Sequence, residues 1–312
     1  MRCLITGATG HLGSFLTRYL VSKGDEVAIL VRSTSNLWRL ADILDQVHLI
    51  KGDLSAIDEA RDQIVAFAAE ALIHLGWSGV ISTDRNDPAV VMDNLVGSLT
   101  LLKIARAGGA RTFIGFGSQA EYGVPSEVLT EETAVLPTTT YGVTKLSVGL
   151  LSKELCNSFE MRHVWIRLLA TYGPMDDKRR LIPSIILSLL AGHKPPLTSG
   201  TQRWDYLYID DCVAAIDIAL RTDRIKGVYV LGSDLAFSIR EIAERIRNSI
   251  DPTLPLGWGE IPYGSRPIMH LQSDSSKFRK VSGWLPRVAL AAGLQKTIDW
   301  YRTAKFHNHS ST

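Results

Sequence analysis

The chain has 312 residues and an almost balanced charge, with 34 Lys and Arg against 32 Asp and Glu. It is 46% hydrophobic and 21% charged, which is typical of soluble globular proteins and argues against a largely disordered chain. It shows no basic footprint for nucleic acid and has only three cysteines, so we expect no nucleic-acid partner and a reducing, cytosolic location.

The sequence predicts neither a leader nor a membrane segment. The first apolar run meets Gly7 and Gly10 within a few residues, so no signal-peptide core develops. The best candidate for a membrane span, residues 181–197, contains three prolines, a histidine and a lysine. We therefore expect a cytoplasmic protein without a membrane partner.

The first half of the chain alternates short apolar runs with helical patterns. Strands are predicted at 2–6, 26–32, 47–51, 71–75, 112–116 and 163–168. Helices are predicted between them at 11–23, 59–68, 92–107 and 141–157. Strands that are apolar throughout are buried on both faces, and their alternation with helices indicates right-handed βαβ units. The sequence therefore predicts an α/β fold with a doubly wound parallel sheet.

The pattern changes after residue 173, where prolines interrupt the chain. Two strand-like stretches, 206–209 and 227–231, return to the core, and helices are predicted at 212–221, 239–248 and 289–301. We predict a dinucleotide-binding domain at 1–173 that also receives 203–231. Residues 174–202 and 232–312 are predicted to form a smaller C-terminal substrate-binding lobe, ending in a loose tail at 306–312.

A glycine-rich loop joins the first predicted strand to the first helix. Gly7 permits a tight turn, Gly10 lets the backbone approach a pyrophosphate, and Gly13 lets the helix pack closely on the strand. The start of the following helix offers free N–H groups and a partial positive charge to an anion. This context predicts a dinucleotide site that contains Gly7, Thr9, Gly10, His11, Leu12 and Gly13.

The residue after the second strand indicates which dinucleotide binds. An acidic side chain there would bind the ribose hydroxyls of NAD, but this chain has Arg32, followed by Ser33 and Ser35. A guanidinium pairs well with a 2′-phosphate, which favours NADP(H). If Arg32 is only a surface residue, NAD remains the alternative.

The third and fourth strands also end in residues that we place beside the cofactor. Asp53 either accepts a hydrogen bond from the adenine amino group or caps a turn. Leu54 and Leu75 complete the predicted cofactor-binding set. We expect the neighbouring His74 to be a hydrogen-bonded core histidine rather than a catalytic one.

Three residues have the chemistry for proton transfer. Tyr141 and Lys145 are one helical turn apart and share a helix face. A nearby ammonium favours the phenolate, so a tyrosine with an ordinary pKa of about 10 can exchange a proton near neutral pH. Ser118 follows the fifth strand, at the sheet edge where such folds bind ligands. We expect Ser118, Tyr141 and Lys145 to be catalytic, with Lys145 also binding the nicotinamide ribose, and we expect no metal.

The glycine loop, Ser118 and the Tyr141–Lys145 pair together resemble the extended short-chain dehydrogenases/reductases. Segments 137–142, 172–174, 200–211 and 283–286 are similar to further motifs of that family, so the resemblance spans nearly the whole chain. It implies a Rossmann-type fold and a nucleotide-sugar substrate. It also implies a homodimer formed through helices 92–107 and 141–157, although Leu150 and Leu151 of the second helix could equally face the sheet.

The same resemblance implies a set of substrate-binding residues. Arg203 and Arg266 would neutralise the nucleotide pyrophosphate, since a guanidinium matches phosphate oxygens. Asn94 matches a family asparagine near the active site, and Gln119 stands directly after the catalytic serine. The alternatives are salt-bridged surface positions for the two arginines and a helix-packing role for Asn94.

Three reactions share this scaffold. Family 4,6-dehydratases usually carry Asp-Glu after the serine, but here Gln119 and Ala120 stand there, and Glu121 is expected to point away along an extended segment. A 4-epimerase needs only the catalytic triad, yet it usually has an acidic residue where Arg32 stands.

We therefore predict NADPH-dependent reduction of the C4 ketone of a nucleotide-linked 4-keto-6-deoxyhexose. The alternative is an NAD-dependent nucleotide-sugar 4-epimerase, and a second alternative is a non-catalytic cofactor-sensing regulator. An aldehyde or flavonol-type reductase also suits Arg32 but leaves Arg203 and Arg266 without a pyrophosphate.

Overall fold

The computed structural model describes residues 1–79 and 87–303, so the tail predicted at 306–312 lies outside the described residues. The strands are β1 (Arg2–Thr6), β2 (Glu26–Val31), β3 (His48–Lys51), β4 (Ala71–His74), β5 (Thr112–Ser118), β6 (Arg162–Leu168), β7 (Ala170–Tyr172), β8 (Arg203–Tyr208), β9 (Gly227–Leu231), β10 (Ala236–Ser238) and β11 (His270–Leu271). The helices are α1 (His11–Ser22), α2 (Arg61–Phe67), α3 (Pro88–Ala107), α4 (Thr140–Ser158), α5 (Leu181–Leu190), α6 (Ile209–Arg221), α7 (Ile239–Ile250), α8 (Ser276–Ser282) and α9 (Leu290–Thr303).

A seven-stranded sheet forms the centre of the molecule, with the strand order β3-β2-β1-β4-β5-β6-β9. Every neighbouring pair in it is parallel. The strand order reverses between β1 and β4, where folds of this type open a crevice at the carboxyl ends of the strands. The predicted doubly wound parallel sheet is confirmed.

Helices cover both faces of this sheet. On one face, Leu16 of α1 and Ile216 of α6 are fully buried in a cluster with the strands. On the other face, Ile64 of α2, Leu101 of α3 and Val148 of α4 are equally buried. This double coverage explains why the strands are apolar on both sides.

Helix α3 begins four residues earlier than the sequence predicts. Asp87 accepts a hydrogen bond from the backbone N–H of Ala89 at 2.8 Å, and Pro88 occupies the first turn, where its missing N–H costs nothing. Among the described residues, α3 is the one helix long and apolar enough to cross a membrane, with a mean hydropathy of 1.3 in its most apolar stretch. The prediction that 181–197 is the best candidate is therefore wrong, and α3 instead packs its inner side in the core with α2 and α4.

A second, small sheet lies beside the large one and orders its strands β10-β8-β11, with β7 also pairing with β8. We expected the stretch at 206–209 to return to the main core, but β8 belongs to this small sheet. Since β9 occupies the edge of β6, β8 pairs with β7 instead. Helices α5, α7 and α9 pack around this sheet through the cluster that contains Ile186, Ile242 and Ile298.

Asp205 of β8 ties the small sheet to the end of β9. Its side chain is fully buried. One carboxylate oxygen accepts hydrogen bonds from the backbone N–H of Ser233 at 2.7 Å and from its hydroxyl at 2.6 Å. The other accepts from the backbone N–H groups of Asp234 and Ser273 at 3.0 and 3.1 Å and from the Ser273 hydroxyl at 2.6 Å.

We expect Asp205→Ala to destabilise the protein by about 3 kcal/mol, because buried donors lose their acceptor together. Chemical denaturation followed by circular dichroism measures this change. Asp299→Ala removes an exposed carboxylate of α9 and should stay within about 0.5 kcal/mol of the parent. Equal stabilities of the two variants would contradict this role of Asp205.

Candidate active site

A cavity of about 810 Å³ opens at the carboxyl ends of the central strands. On one side it is lined by the glycine loop, at Gly7 and residues 9–13, and by Arg32, Asp53, Leu54 and Leu75. On the other side it is lined by Ser118, Gln119, Tyr141 and Lys145. The predicted cofactor-binding and catalytic residues therefore share one cleft.

The glycine loop is packed too tightly for other residues. Gly7 has a φ of +71°, and a Cβ on it would lie 2.7 Å from the backbone nitrogen of Gly76. A Cβ on Gly13 would lie 2.1 Å from the carbonyl oxygen of Gly7. The first turn of α1 thus lies directly against the end of β1, and its residues His11, Leu12 and Gly13 line the cavity, at a helix start where an anion can bind.

His11 connects this loop to the segment after β7. Its Nε2 lies 3.0 Å from the carbonyl oxygen of Pro174, and its Nδ1 lies 3.4 Å from the buried Asp176. Burial, with the guanidinium groups of Arg180 and Arg39 nearby, lowers the pKa of His11 to about 3, so the ring is neutral. His11 therefore joins the glycine loop to the segment 174–176 without adding a charge to the cavity.

Arg39 is a cavity-lining cation that the sequence reasoning missed. Its Nε donates to the carbonyl oxygen of Met175 at 2.8 Å, and its Nη1 donates to that of Thr9 at 3.0 Å. The sequence signal that could have identified Arg39 is its position as a second basic residue in the loop that carries Arg32. Arg39 thus bridges the glycine loop and the segment after β7.

Arg32 and Asp53 both line the cavity on the side of the glycine loop. Arg32 is exposed, and its backbone forms a turn in which its N–H donates to the Ser35 hydroxyl at 3.0 Å. Asp53 accepts from the backbone N–H and the hydroxyl of Ser55 at 3.1 and 3.0 Å. Asp53 therefore caps a turn, which was one of its two predicted roles, while also lining the cavity.

Ser118 is the last residue of β5, two residues beyond the predicted end of that strand. It is buried, and its hydroxyl accepts from the backbone N–H of Ala120 at 3.2 Å and donates to the side-chain carbonyl of Gln119. Gln119 also lines the cavity. A hydroxyl and an amide therefore adjoin at the point where a substrate oxygen can bind.

Glu121 points away from the cavity, but for a different reason from the predicted one. Residues 119–122 form a 3-10 turn rather than an extended segment. The Glu121 carboxylate is fully buried and accepts from the Ser118 N–H at 3.0 Å, the Trp165 indole N–H at 3.1 Å and the Arg167 Nε at 2.8 Å. The Glu121 carboxylate therefore makes its hydrogen bonds in the core and does not point into the cavity.

Tyr141 and Lys145 lie in the first turns of α4, which begins after Thr139 accepts a hydrogen bond from the Gly142 N–H at 3.1 Å. Only 8% of Tyr141 and 5% of Lys145 are exposed. The Lys145 Nζ donates to the carbonyl oxygen of Phe116 at 2.9 Å and lies 6.0 Å from the centre of the Tyr141 ring. Burial lowers the pKa of Lys145 to about 7.

Trp77 contributes an aromatic ring to the cavity. It follows β4, lines the cavity, and has its ring centre 3.7 Å from the Lys145 Nζ. Its ring also meets that of Tyr141 edge to face, with centres 6.0 Å apart and planes at 80°. Trp77 therefore contacts both Tyr141 and Lys145.

His74 and Asn94 have structural contacts. His74 bonds the Thr6 and Ser98 hydroxyls, each at 2.8 Å, which confirms the predicted core histidine. Asn94 is outside the cavity lining; its amide accepts from the Ser78 N–H at 2.8 Å and donates to the Ser78 carbonyl at 3.1 Å. The structure thus supports the packing alternative for Asn94, because backbone partners engage both ends of its amide.

Arg203 and Arg266 do not reach the cavity. Arg203 donates to the carbonyl oxygen of Ala236 at 2.6 Å and lies 3.7 Å from Glu241. Successive strand residues face opposite sides, so Trp204 lines the cavity instead. Arg266 is exposed on a loop. The expected arginine pair around a pyrophosphate is therefore not assembled, and Arg180 is the guanidinium that lines both this cavity and an adjoining one of about 160 Å³.

Known proteins resemble the chain over nearly its whole length. It is 29% identical to a dTDP-glucose 4,6-dehydratase of Streptomyces niveus, over 97% of this chain and 93% of that protein. It is 28% identical to a UDP-glucose 4-epimerase of Corynebacterium glutamicum, over 92% and 91% of the two chains.

Solved structures show the same fold. The UDP-glucose 4-epimerase of Thermotoga maritima, crystallised with UDP-glucose, superposes with a TM-score of 0.88 at 22% identity, covering 97% of this chain and 99% of that one. The dTDP-glucose 4,6-dehydratase of Bacillus anthracis, in complex with NAD, gives 0.87 at 22% identity, with 98% and 97% covered. These likenesses confirm the Rossmann-type architecture.

A family model also matches residues 3–232, which include the glycine loop, Ser118, Tyr141, Lys145 and all of the main sheet except the first residue of β1. The prediction of an extended short-chain dehydrogenase/reductase is confirmed, and the chain belongs to the NAD dependent epimerase/dehydratase family.

Proposed function

We propose that the protein reduces the C4 ketone of a nucleotide-linked 4-keto-6-deoxyhexose with NADPH. The observation that carries this proposal is Arg32, which follows β2 and lines the cavity on the cofactor side. A guanidinium there suits a 2′-phosphate, whereas an acidic residue would suit the ribose hydroxyls of NAD. A cofactor that dissociates after each turnover fits net reduction of the ketone. It fits a 4-epimerase less well, because an epimerase takes a hydride from the sugar and returns it.

The residues around the glycine loop fit a dinucleotide. Gly7 and Gly13 leave room that a Cβ would fill, and the start of α1 faces the cavity. The loop and α1 would hold the pyrophosphate, Arg32 with Ser35 would hold the 2′-phosphate, and Lys145 would hold the nicotinamide ribose. When bound, NADPH supplies the hydride.

The catalytic residues supply the proton and polarise the ketone. Ser118 donates a hydrogen bond to the C4 oxygen, and Tyr141 gives its phenolic proton to the same oxygen. Lys145, on the same side of α4, stabilises the phenolate that remains. A positioned acid of this kind contributes about 10²–10⁴-fold to the rate.

Dehydration is disfavoured by the residues after Ser118. Gln119 has no acidic proton, and Ala120 has no functional side chain. The Glu121 carboxylate is paired with Arg167 in the core. The segment that follows the catalytic serine thus offers no acid or base to remove water from the sugar.

The second candidate is an NAD-dependent nucleotide-sugar 4-epimerase. Relatives with this name support it, including the Corynebacterium glutamicum protein at 28% identity. A cofactor-sensing regulator is a weaker alternative, because Tyr141 and Lys145 are both present and both line the cavity.

The anionic part of the substrate would then meet Arg180 rather than Arg203 and Arg266. Trp204 also lines both cavities, and its stacked pair with Tyr206 provides a planar apolar surface.

The proposed division into two lobes assigns 1–173 and 209–231 to the cofactor domain, because α6 packs on the main sheet and β9 joins it. The remaining C-terminal part forms the substrate lobe.

We place the protein in the cytoplasm. Cys3, Cys156 and Cys212 are free and buried, which suits a reducing compartment.

A homodimer is proposed through α3 and α4. Met92 and Val96 of α3 are about half exposed, at 53% and 52%. Val143 and Leu150 of α4 are similarly exposed, at 49% and 57%. Each pair follows helical spacing, so the two adjacent helices present apolar stripes that a second copy would cover.

The reaction is tested by following NADPH oxidation with nucleotide-linked 4-keto-6-deoxyhexoses, while the sugar products are identified. We expect stoichiometric NADPH consumption and loss of activity in Tyr141→Phe, with cofactor affinity nearly unchanged. Tyr19→Phe, which alters a distant hydroxyl on α1, should retain activity. Interconversion of two UDP-hexoses by protein that copurifies with NAD would replace this proposal with the epimerase.

Arg32→Ala should weaken NADPH binding by about 10- to 100-fold and leave NADH binding unchanged, since the lost charged hydrogen bonds are worth about 1.5–3 kcal/mol. Isothermal titration calorimetry with both cofactors measures this selectivity. Arg111→Ala changes an exposed arginine at the opposite end of β5 and serves as the control. Equal losses for the two cofactors would argue against a 2′-phosphate site.

The double variant Val96→Glu with Leu150→Glu should be monomeric, because carboxylates would be desolvated in the interface. Sedimentation equilibrium measures the change in mass. Leu235→Glu alters a residue that is 61% exposed elsewhere and should leave the dimer intact. A monomeric parent protein would refute the proposed dimer.

A further inference from the structure

Trp77 lies where the two proton-transfer residues meet. Its ring centre is 3.7 Å from the Lys145 Nζ, and the ring stands edge to face with that of Tyr141 at 6.0 Å. The Lys145 Nζ also donates to the carbonyl oxygen of Phe116 at 2.9 Å. One carbonyl and one indole face therefore provide contacts that hold the ammonium.

The segment that carries Trp77 is held on both sides. Before it, the Gly76 N–H donates to the Thr6 hydroxyl at 2.9 Å, and a Cβ on Gly76 would lie 2.8 Å from that oxygen. After it, Asn94 bonds both the N–H and the carbonyl of Ser78. The buried Asn94 therefore fixes the backbone next to Trp77.

The charges around Lys145 come from several elements. Tyr141 lies on the same helix, and Glu121, on the turn after β5, favours the ammonium but is shared with Arg167. His74 of β4 is neutral, since burial lowers its pKa to about 3. Burial also brings the pKa of Lys145 down to about 7, so its charge is finely balanced near neutral pH.

An aromatic face favours the charged form of an amine over the neutral form. A cation over a tryptophan gains about 0.5–1 kcal/mol at exposed sites and about 2 kcal/mol when desolvated. Only 5% of Lys145 is exposed, so water competes weakly for the ammonium. The indole therefore helps to keep Lys145 protonated and directs it to the side of Tyr141.

We propose that Trp77 is a positioning residue that holds the Lys145 ammonium beside Tyr141 and keeps it charged during proton transfer. The expected effect of Trp77 on turnover rests on the proposed function, because that effect assumes that Tyr141 is the acid. The contact with Lys145 is independent of the reaction and can be tested without a substrate.

The first experiment titrates lysine side chains by NMR in isotopically labelled full-length protein, with Lys145→Met used to assign the Lys145 signal. In Trp77→Leu the pKa of Lys145 should fall by about one unit, since one unit corresponds to 1.36 kcal/mol. Trp77→Phe keeps an aromatic face, so the pKa of Lys145 in this variant should stay close to the parental value. Trp258→Leu removes a comparable indole, 4.1 Å from the Arg240 guanidinium and outside the cavity, and should change nothing.

The second experiment measures kcat against pH for reduction. Activity falls as the pH rises because Lys145 loses its proton. A lower pKa in Trp77→Leu should therefore shift the alkaline limb of the kcat profile to lower pH by about one unit. Asn94→Ala should move it in the same direction by a smaller amount, because the backbone beside Trp77 is released.

An unchanged or raised Lys145 pKa in folded Trp77→Leu would overturn the proposal, as would a uniform loss of kcat at every pH. If Trp77→Leu does not fold, the same titration of Asn94→Ala decides the question: a Lys145 pKa identical to that of the parent would overturn the proposal. A parent protein that turns over no 4-keto sugar, yet shows the expected titration shifts, would refute the proposed reaction and leave this role of Trp77 standing.

Discussion

The close approach of the glycine loop to the neighbouring strands is the constraint on which the site depends. Gly13 lets α1 start directly against Gly7, and Gly7 in turn lies against the backbone of Gly76. On the side of Gly13, this contact fixes the position of the start of α1, where an anion can bind. On the side of Gly76, it fixes the position of the segment that carries Trp77. A side chain at either glycine would therefore disturb both the cofactor site and the surroundings of Lys145.

Charged side chains of both signs line the cavity. Four are basic, Arg32, Arg39, Lys145 and Arg180, and three are acidic, Asp53, Asp176 and Asp177. Lys145 is buried, so its charge depends on a few neighbours rather than on water. The core carboxylate of Glu121 takes part in this balance without entering the cavity.

Side chains on the glycine-loop side of the cavity contact the segment that follows β7. His11 and Arg39 reach from that side to the segment 174–176, and Asp205 connects the small sheet to the end of β9. The cleft is thus bounded by elements far apart in sequence. Its shape depends on these contacts as much as on the sheet.

The sequence by itself determined the parallel sheet, the glycine loop and the positions of Ser118, Tyr141 and Lys145. These features depend on apolar periodicity, on short spacings and on the rule that ligands bind at the carboxyl ends of strands, all of which act locally. The family resemblance added the class of enzyme, which the matched residues 3–232 confirm.

Only the tertiary structure decided which neighbouring side chain faces the cleft. A shift of one residue reverses the face of a strand, so Trp204 enters the cavity while Arg203 turns to Ala236 and Glu241. Asn94 bonds the backbone of Ser78, and Trp77 contacts Lys145, through pairings that no local pattern encodes. Such contacts form between distant segments, and only packing brings those segments together.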